Sequence, residues 1–197
     1  YDARNQLTAS ILDYDEDGNF ETNGQDVATY VFYDYVGNVV KTVDGNGNAT
    51  ETEYDRAFRQ TKVIAPSVYD AETSTWKNPE TVTMYDRNSN VTNVVDPRGI
   101  ITESQYDELN RVRYVIADKG GSEEVTTESQ YDANNNVMAL ILHNVAGGST
   151  NLQTTAYVFD SYDRQVSETL PSVGDGTNRV TTTVYYRNGN VKTITDP

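Results

Sequence analysis

The sequence contains no cysteine, one histidine (His143) and one tryptophan (Trp76), and its lysines and arginines number 15 against 30 aspartates and glutamates. Without cysteine neither a disulfide framework nor a thiolate zinc or iron–sulfur site can form. One histidine supports neither a His-rich metal centre nor an ordinary catalytic triad. No apolar run approaches the roughly 20 residues of a membrane-spanning helix, and no N-terminal stretch reads as a signal peptide. A net charge of −15 repels phosphate backbones and anionic headgroups, so nucleic acid and membrane surfaces are not expected partners, whereas cations are. Apolar residues are scarce as well: Val, Leu, Ile and Phe number 41 of 197, close to the composition of a disordered chain. A core must therefore be made largely from the 15 tyrosines together with Val and Thr. The length fits one domain or two.

What is present is repetition. A Tyr-Asp pair recurs at Tyr1-Asp2, Tyr33-Asp34, Tyr54-Asp55, Tyr85-Asp86, Tyr106-Asp107 and Tyr131-Asp132, with variants Phe159-Asp160 and Tyr185-Tyr186. The eight units alternate between two kinds. Tyr1, Tyr54, Tyr106 and Phe159 are spaced by 53, 52 and 53 positions, and Tyr33, Tyr85, Tyr131 and Tyr185 by 52, 46 and 54. The period is a pair of units, with length variation in the connecting loops. Each unit reads as strand, tight turn, strand: runs such as Thr181-Thr182-Thr183-Val184-Tyr185 precede the turn and runs such as Val91-Thr92-Asn93-Val94-Val95 follow it. Helix is disfavoured, because no stretch sustains apolar residues at i, i+3, i+4 and i+7.

The turn explains why Asp follows Tyr. An Asp at the first turn position accepts a hydrogen bond from the backbone two residues on, and three residues later the chain needs a residue tolerant of positive φ. That column holds Asn5, Gly37, Phe58, Ser89, Asn110, Asn135, Asp163 and Gly189. Phe58 and Ser89 lack the tolerance of Gly, Asn and Asp, and their turns are expected to differ. The next column separates the two kinds of unit, with Asn38, Asn90, Asn136 and Asn190 in one and Gln6, Arg59, Arg111 and Arg164 in the other. Further punctuation at Asp44-Gly45-Asn46-Gly47, Asp96-Pro97-Arg98-Gly99 and Asp196-Pro197 reverses the chain again. The fold class is therefore all-β: antiparallel hairpins stacked into a long twisted sheet strip, a single array over residues 1–197 with an acidic insert loop at 13–28.

The run Tyr33-Asp34-Tyr35-Val36-Gly37-Asn38-Val39, together with Asp96-Pro97-Arg98-Gly99, resembles the YD repeat of bacterial RHS proteins. The resemblance covers nearly the whole chain in eight registers. It implies a strip that in the family winds into a hollow shell around a toxin effector, or into the barrel of surface adhesion proteins. Such a shell takes many more repeats, so the chain is expected to be a segment of a larger secreted or surface bacterial protein, flanked by repeats of the same polypeptide. No counterpart of the family's self-cleaving aspartyl region follows the repeats, so no protease activity is carried over, and no separate effector domain is expected.

The strongest candidate site is the insert Asp13-Tyr14-Asp15-Glu16-Asp17-Gly18-Asn19-Phe20-Glu21. Alternating carboxylates with Gly at the sixth position match the first half of a calcium loop, with Asp13, Asp15, Asp17, the Asn19 carbonyl and Asp26 as ligands for Ca2+. Position twelve is Gly24 rather than Glu, and a solvated acidic loop is the competing reading. Trp76, in the variable loop Ser74-Thr75-Trp76-Lys77, and Tyr14 are candidates for contact with a surface glycan. A single loop Trp also often folds back over a sheet end. The Tyr column reads as a packing ladder, with sugar stacking as the alternative. Arg59, Arg111 and Arg164 are expected to pair with carboxylates of adjacent units, and His143 to be structural. Spacing singles out no carboxylate pair for glycosidase chemistry, and the segment is expected to be non-catalytic.

Overall fold

The computed structural model describes residues 1–12, 27–146, 149–172 and 176–197. Within them are seventeen strands and no helix. The first eight are β1 (Ala9–Leu12), β2 (Val27–Tyr33), β3 (Val39–Val43), β4 (Ala49–Tyr54), β5 (Gln60–Ile64), β6 (Val68–Asp70), β7 (Thr75–Lys77) and β8 (Glu80–Tyr85). The rest are β9 (Val91–Val95), β10 (Ile101–Tyr106), β11 (Val112–Ala117), β12 (Val125–Tyr131), β13 (Val137–Ala146), β14 (Ser149–Phe159), β15 (Gln165–Leu170), β16 (Arg179–Tyr185) and β17 (Val191–Thr195). Fifteen of them follow chain order in one antiparallel sheet, and β6 and β7 form a two-stranded sheet of their own. The all-β meander expected from the strand, turn, strand units is the fold.

Two compact units divide the chain, one of Tyr1–Met84 with Val94–Gly99 and one of Tyr85–Asn93 with Ile100–Pro197. In the first, β1 through β5 pair in sequence and β8 pairs with β5. In the second, β10 through β17 pair each with the next.

The turns share one geometry. In all eight, the residue after the anchoring aromatic donates its N–H to the carbonyl four residues on at 2.8–3.0 Å, and the residue three on donates back at 3.0–3.3 Å. That third residue has positive φ every time, including Phe58 at 60° and Ser89 at 70°. The expectation that these two turns differ is thus overturned. The left-handed backbone costs roughly 1–2 kcal/mol at a residue with a Cβ, and the paired backbone bonds together with the Asp cap hold it there regardless of side chain. The described hairpins also slip register at the anchor, between Phe32 and Tyr33, Glu53 and Tyr54, and Gln105 and Tyr106 for example. A tight turn followed by a left-handed residue and a bulge is a common hairpin closure, and it fixes register by its own chemistry.

Burial departs from that of an ordinary domain. Among the described residues only Ile116, 7% exposed, counts as buried, and the anchoring tyrosines in the strands are half-buried. The tyrosines thus form a half-covered ladder rather than a closed core.

Candidate functional site: the turn rail and the aromatic hairpin

The ladder is stapled by hydroxyls. Tyr33 Oη donates to the Leu7 carbonyl at 2.9 Å, Tyr54 to Val39 at 3.0 Å, Tyr106 to Val91 at 2.9 Å, Tyr131 to Val112 at 2.8 Å and Tyr185 to Gln165 at 2.9 Å. Each acceptor lies six residues past the anchor of the preceding unit. The tyrosine column is therefore occupied with structure, as the ladder reading expected.

The Asp column caps the turns. Asp34 Oδ1 accepts the amides of Val36, Gly37 and Asn38 at 2.8–3.0 Å, and its Oδ2 accepts Asn38 Nδ2 at 2.8 Å. In the other kind of unit the partner is arginine: Asp107 Oδ1 accepts the amides of Leu109 and Arg111 at 2.9 and 3.0 Å, and Oδ2 accepts Arg111 Nε at 2.7 Å. Asp55–Arg59 and Asp160–Arg164 repeat this pair. The arginines thus bind the carboxylate of their own turn, a correction to the expected pairing between units. The guanidinium's remaining arm reaches forward instead: Arg111 Nη1 to Asn135 Oδ1 at 2.8 Å, and Arg164 Nη1 to the Tyr186 carbonyl at 3.3 Å. The same cations sit over the next anchor ring, Arg111 at 4.4 Å from the Tyr131 centroid and Arg164 at 4.6 Å from that of Tyr185. A planar, weakly hydrated fork suits all three tasks at once.

These contacts hold the carboxylates below their ordinary range. Arg59 and Arg111, first through their backbone amides and then their side chains, lower Asp55 and Asp107. For Asp132 and Asp160 the leading cause is the side-chain bond from Asn136 or Arg164. At Asp34 partial desolvation, the largest influence, pulls upward and is outweighed by the bonds from Asn38, Val36 and Gly37. A general acid requires the opposite shift.

The β6–β7 hairpin stands apart. Tyr69 pairs with Trp76 in register, and their rings meet edge to face with centroids 5.6 Å apart. Trp76 is 70% exposed and Tyr69 55%. The segment expected as a variable loop is therefore a short hairpin, and Trp76 does not cover a sheet end. Its turn is capped by Asp70, which accepts Glu72 and Thr73 amides at 2.9 and 3.2 Å and binds Lys77. Lys77, first among the causes, holds the Asp70 carboxyl far below the usual range. Tyr69 was missed in the sequence; its position opposite Trp76 across a short Asp-capped turn was the available signal.

The proposed calcium ligands Asp13, Asp15, Asp17, Asn19 and Asp26, and Tyr14 with them, lie outside the described residues. Among the described residues no group of three or more His, Asp or Glu side chains could hold a metal ion. His143 Nε2 lies 3.3 Å from Glu128 Oε2, a structural pair on one sheet face. Sequence reading also missed a row of exposed turn tips. Tyr35, Val36 and Phe58 line an open hollow of about 460 Å³ in the first unit. Tyr162 and Tyr186 line one of about 500 Å³ in the second.

The RHS Repeat family matches residues 33–67, which span the Tyr33 turn, the Tyr54 turn and the strands between. No curated protein matches the chain in sequence. Among solved structures, the Tc holotoxin pore of Photorhabdus luminescens with a TccC3 variant is 20% identical, with a TM-score of 0.70, over 96% of this chain and 10% of that one. The TcdB2-TccC3-Cdc42 crystal structure is 18% identical with a TM-score of 0.68, over 90% of this chain and 9% of that one. The chain therefore spans about a tenth of the length of the proteins whose fold it shares. Residues 33–67 carry the RHS repeat, and in its Tyr-Asp turns and its meander the chain resembles the bacterial RHS, or YD-repeat, proteins.

Proposed function

We propose that the chain is a non-catalytic wall segment of a large secreted or surface-displayed bacterial RHS protein, whose repeats enclose a cargo such as a toxin effector. The observation that carries this reading is the repetition of one staple set in register. A tyrosine hydroxyl on the preceding unit's carbonyl and an Asp-capped turn locked by Asn or Arg let a wall grow by addition, each unit held by its neighbours. Support comes also from the likeness of fold to the toxin structures. The turn carboxylates are saturated with donors and held ionised, which suits structure and not proton transfer.

The test is a graft of residues 1–197 in place of the matching tenth of a TcdB2-TccC3 chain, with a single cysteine introduced into the cysteine-free segment. Val158 and Tyr157 project to opposite sheet faces because neighbours in a strand alternate. A wall lets a bulky maleimide label only one of Val158→Cys and Tyr157→Cys while a small maleimide labels both. Equal labelling by the bulky reagent refutes enclosure.

A second reading rests on the exposed Trp76 and Tyr69 rings, which offer flat apolar area to a surface glycan. Specific glycan binding abolished by Trp76→Ala supports an adhesion module, and binding that survives it removes these rings from the contact.

A further inference from the structure

In the second compact unit, side chains bridge the gap from a turn locked by Asn to the turn locked by Arg after it. Asn88 and Asn90 Nδ2 donate to Asn110 Oδ1 at 2.9 and 3.0 Å, and Asn134 and Asn136 Nδ2 to Asp163 Oδ1 at 2.8 and 2.9 Å. In the first compact unit the corresponding joint lies between the Tyr33 and Tyr54 turns, and its bridge is missing from both sides. Val36 stands where Asn88 and Asn134 stand, and Phe58 where Asn110 and Asp163 stand. The joint is open instead, as the hollow of about 460 Å³ that Tyr35, Val36 and Phe58 line. Three departures from the repeat therefore meet at one place: a lost bridge, a bulky ring on left-handed backbone (φ 60°), and apolar side chains in water, with Tyr35 86% and Phe58 57% exposed. Each works against stability, and conflicts of that kind gather where a surface serves something other than folding. The hollow is interior to the strip. The Tyr1 turn lies against the Tyr33 turn, with the Arg4 guanidinium donating to the Asp34 and Tyr35 carbonyls, and beyond the Tyr54 turn β5 pairs with β8.

The polar groups around the hollow are one-sided. Asp34 Oδ1 accepts three backbone amides and its Oδ2 accepts Asn38 Nδ2. Asp55 Oδ1 accepts the Ala57 and Arg59 amides, and its Oδ2 the Arg59 guanidinium. What remains to be used are donors. One is the second Nδ2 hydrogen of Asn38, which in Asn90 and Asn136 goes to the bridging oxygen. The other is the Arg56 guanidinium, which lines the hollow and has no partner among the described residues. An occupant must thus bring acceptors and apolar surface, and few donors of its own. A small molecule is held by enclosure, which so open a hollow does not give, so the occupant extends past it. Strand addition is excluded as well, because β3 and β4, which connect the two turns, are paired on both sides. A polyproline II segment meets every condition: its carbonyls have no internal partners, proline carries no N–H, and its rings lie flat on aromatic faces. We propose that the hollow between the Tyr33 and Tyr54 turns is a docking site for a proline-rich segment of a partner protein. Its rings pack on Tyr35 and Phe58 over Val36, and its carbonyls accept from Asn38 Nδ2 and Arg56. Residues 1–197 hold five prolines and no two are adjacent, so the segment comes from outside them. The site does not depend on whether the wall encloses anything.

The test titrates a fluorescein-labelled polyproline peptide of about ten residues with the chain of residues 1–197, following anisotropy, with a Gly-Ser peptide of equal length as control. The expected result is saturable binding roughly tenfold or more tighter than that of the flexible control. Val36→Asn and Phe58→Asn made together supply the bridge of the other joints and should weaken binding about tenfold or more. Because that pair is expected to stabilise the chain, the loss is not one of folding. Arg56→Gln should weaken binding with an unchanged circular dichroism spectrum, and Trp76→Ala should leave it as it was. Three results overturn the proposal: no saturable binding of the polyproline peptide, equal binding of the two peptides, or binding undiminished by the paired substitution. Displacement of the labelled peptide by an oligosaccharide that binds the hollow more tightly overturns it too, because the occupant is then a glycan.

Discussion

Phe159 is the one anchor whose ring has no hydroxyl, and adding one tests the ladder by gain rather than loss. The register places the missing bond. Glu128 pairs with Tyr114, and the bond there runs from Tyr131, three residues beyond the first, to Val112, two residues before the second. The same offsets from the pairs Glu51 with Lys41 and Thr182 with Ser167 give the observed bonds from Tyr54 to Val39 and from Tyr185 to Gln165. Applied to Ala156 paired with Ala139, they run from position 159 to the carbonyl of Val137. Phe159→Tyr should therefore create a half-buried bond near the 2.8–3.0 Å of its counterparts. Such a bond is worth about 0.5–1.5 kcal/mol net, and the lower half of that range applies because water reaches the ladder. For a chain of this size the gain corresponds to roughly 1–4 °C in Tm. Urea denaturation with an unchanged m-value is the assay, and Tyr131→Phe should lose a similar amount. If Tyr131→Phe costs stability and Phe159→Tyr gains none, the hydroxyl staple is not a transferable element of the repeat and the reasoning fails.

Val36→Asn and Phe58→Asn should each be near neutral or destabilising, yet together raise stability, with a coupling of about 0.5–3 kcal/mol in a double-mutant cycle; additive effects would show that the two positions are independent. Lowered folded pKa values at Asp55, Asp107, Asp132 and Asp160 make their contribution fully present above the unfolded carboxylate value near 4. That contribution is lost as pH falls through the depressed folded values, so chemical denaturation at pH 7 and pH 5 should agree and stability should drop below about pH 4. At the other extreme the Glu80 bond raises Lys62, whose share persists below the unfolded lysine value and is lost as pH rises through the higher folded one. Saturating calcium should raise Tm, and EDTA lower it, if Asp13, Asp15, Asp17, Asn19 and Asp26 form a site; no response to either leaves a solvated acidic loop. Trp76→Ala should change stability by no more than about 0.5 kcal/mol, given its exposure, and a larger loss in thermal or urea unfolding would make Trp76 structural.

The turns were the most legible part of the fold, because their chemistry is local. Asp followed three residues on by Asn or Gly names the cap and the left-handed position without reference to anything distant. Phe58 defeated that reading because a side chain's own preference is weaker than the two backbone bonds and the Asp55 cap that close the turn around it. The direction of Arg111 was not readable either. A column of arginines shows recurrence, but only the register shows that one arm turns back to Asp107 while another crosses to Asn135. The Trp76 hairpin escaped because strands of three residues are too short to display alternation.

With Ile116 alone buried among the described residues, the stability of this sheet cannot rest on a closed apolar interior. What replaces it is a set of contacts that reach no farther than the adjacent unit: a hydroxyl bond, a cation over a ring, a carboxamide or guanidinium crossing to the next turn. Energy distributed in this way is nearest-neighbour energy, so each interior unit is held from two sides and a terminal unit from one. A substitution that breaks one staple, such as Tyr131→Phe, should therefore weaken hydrogen-exchange protection in the two units it joins and little beyond them.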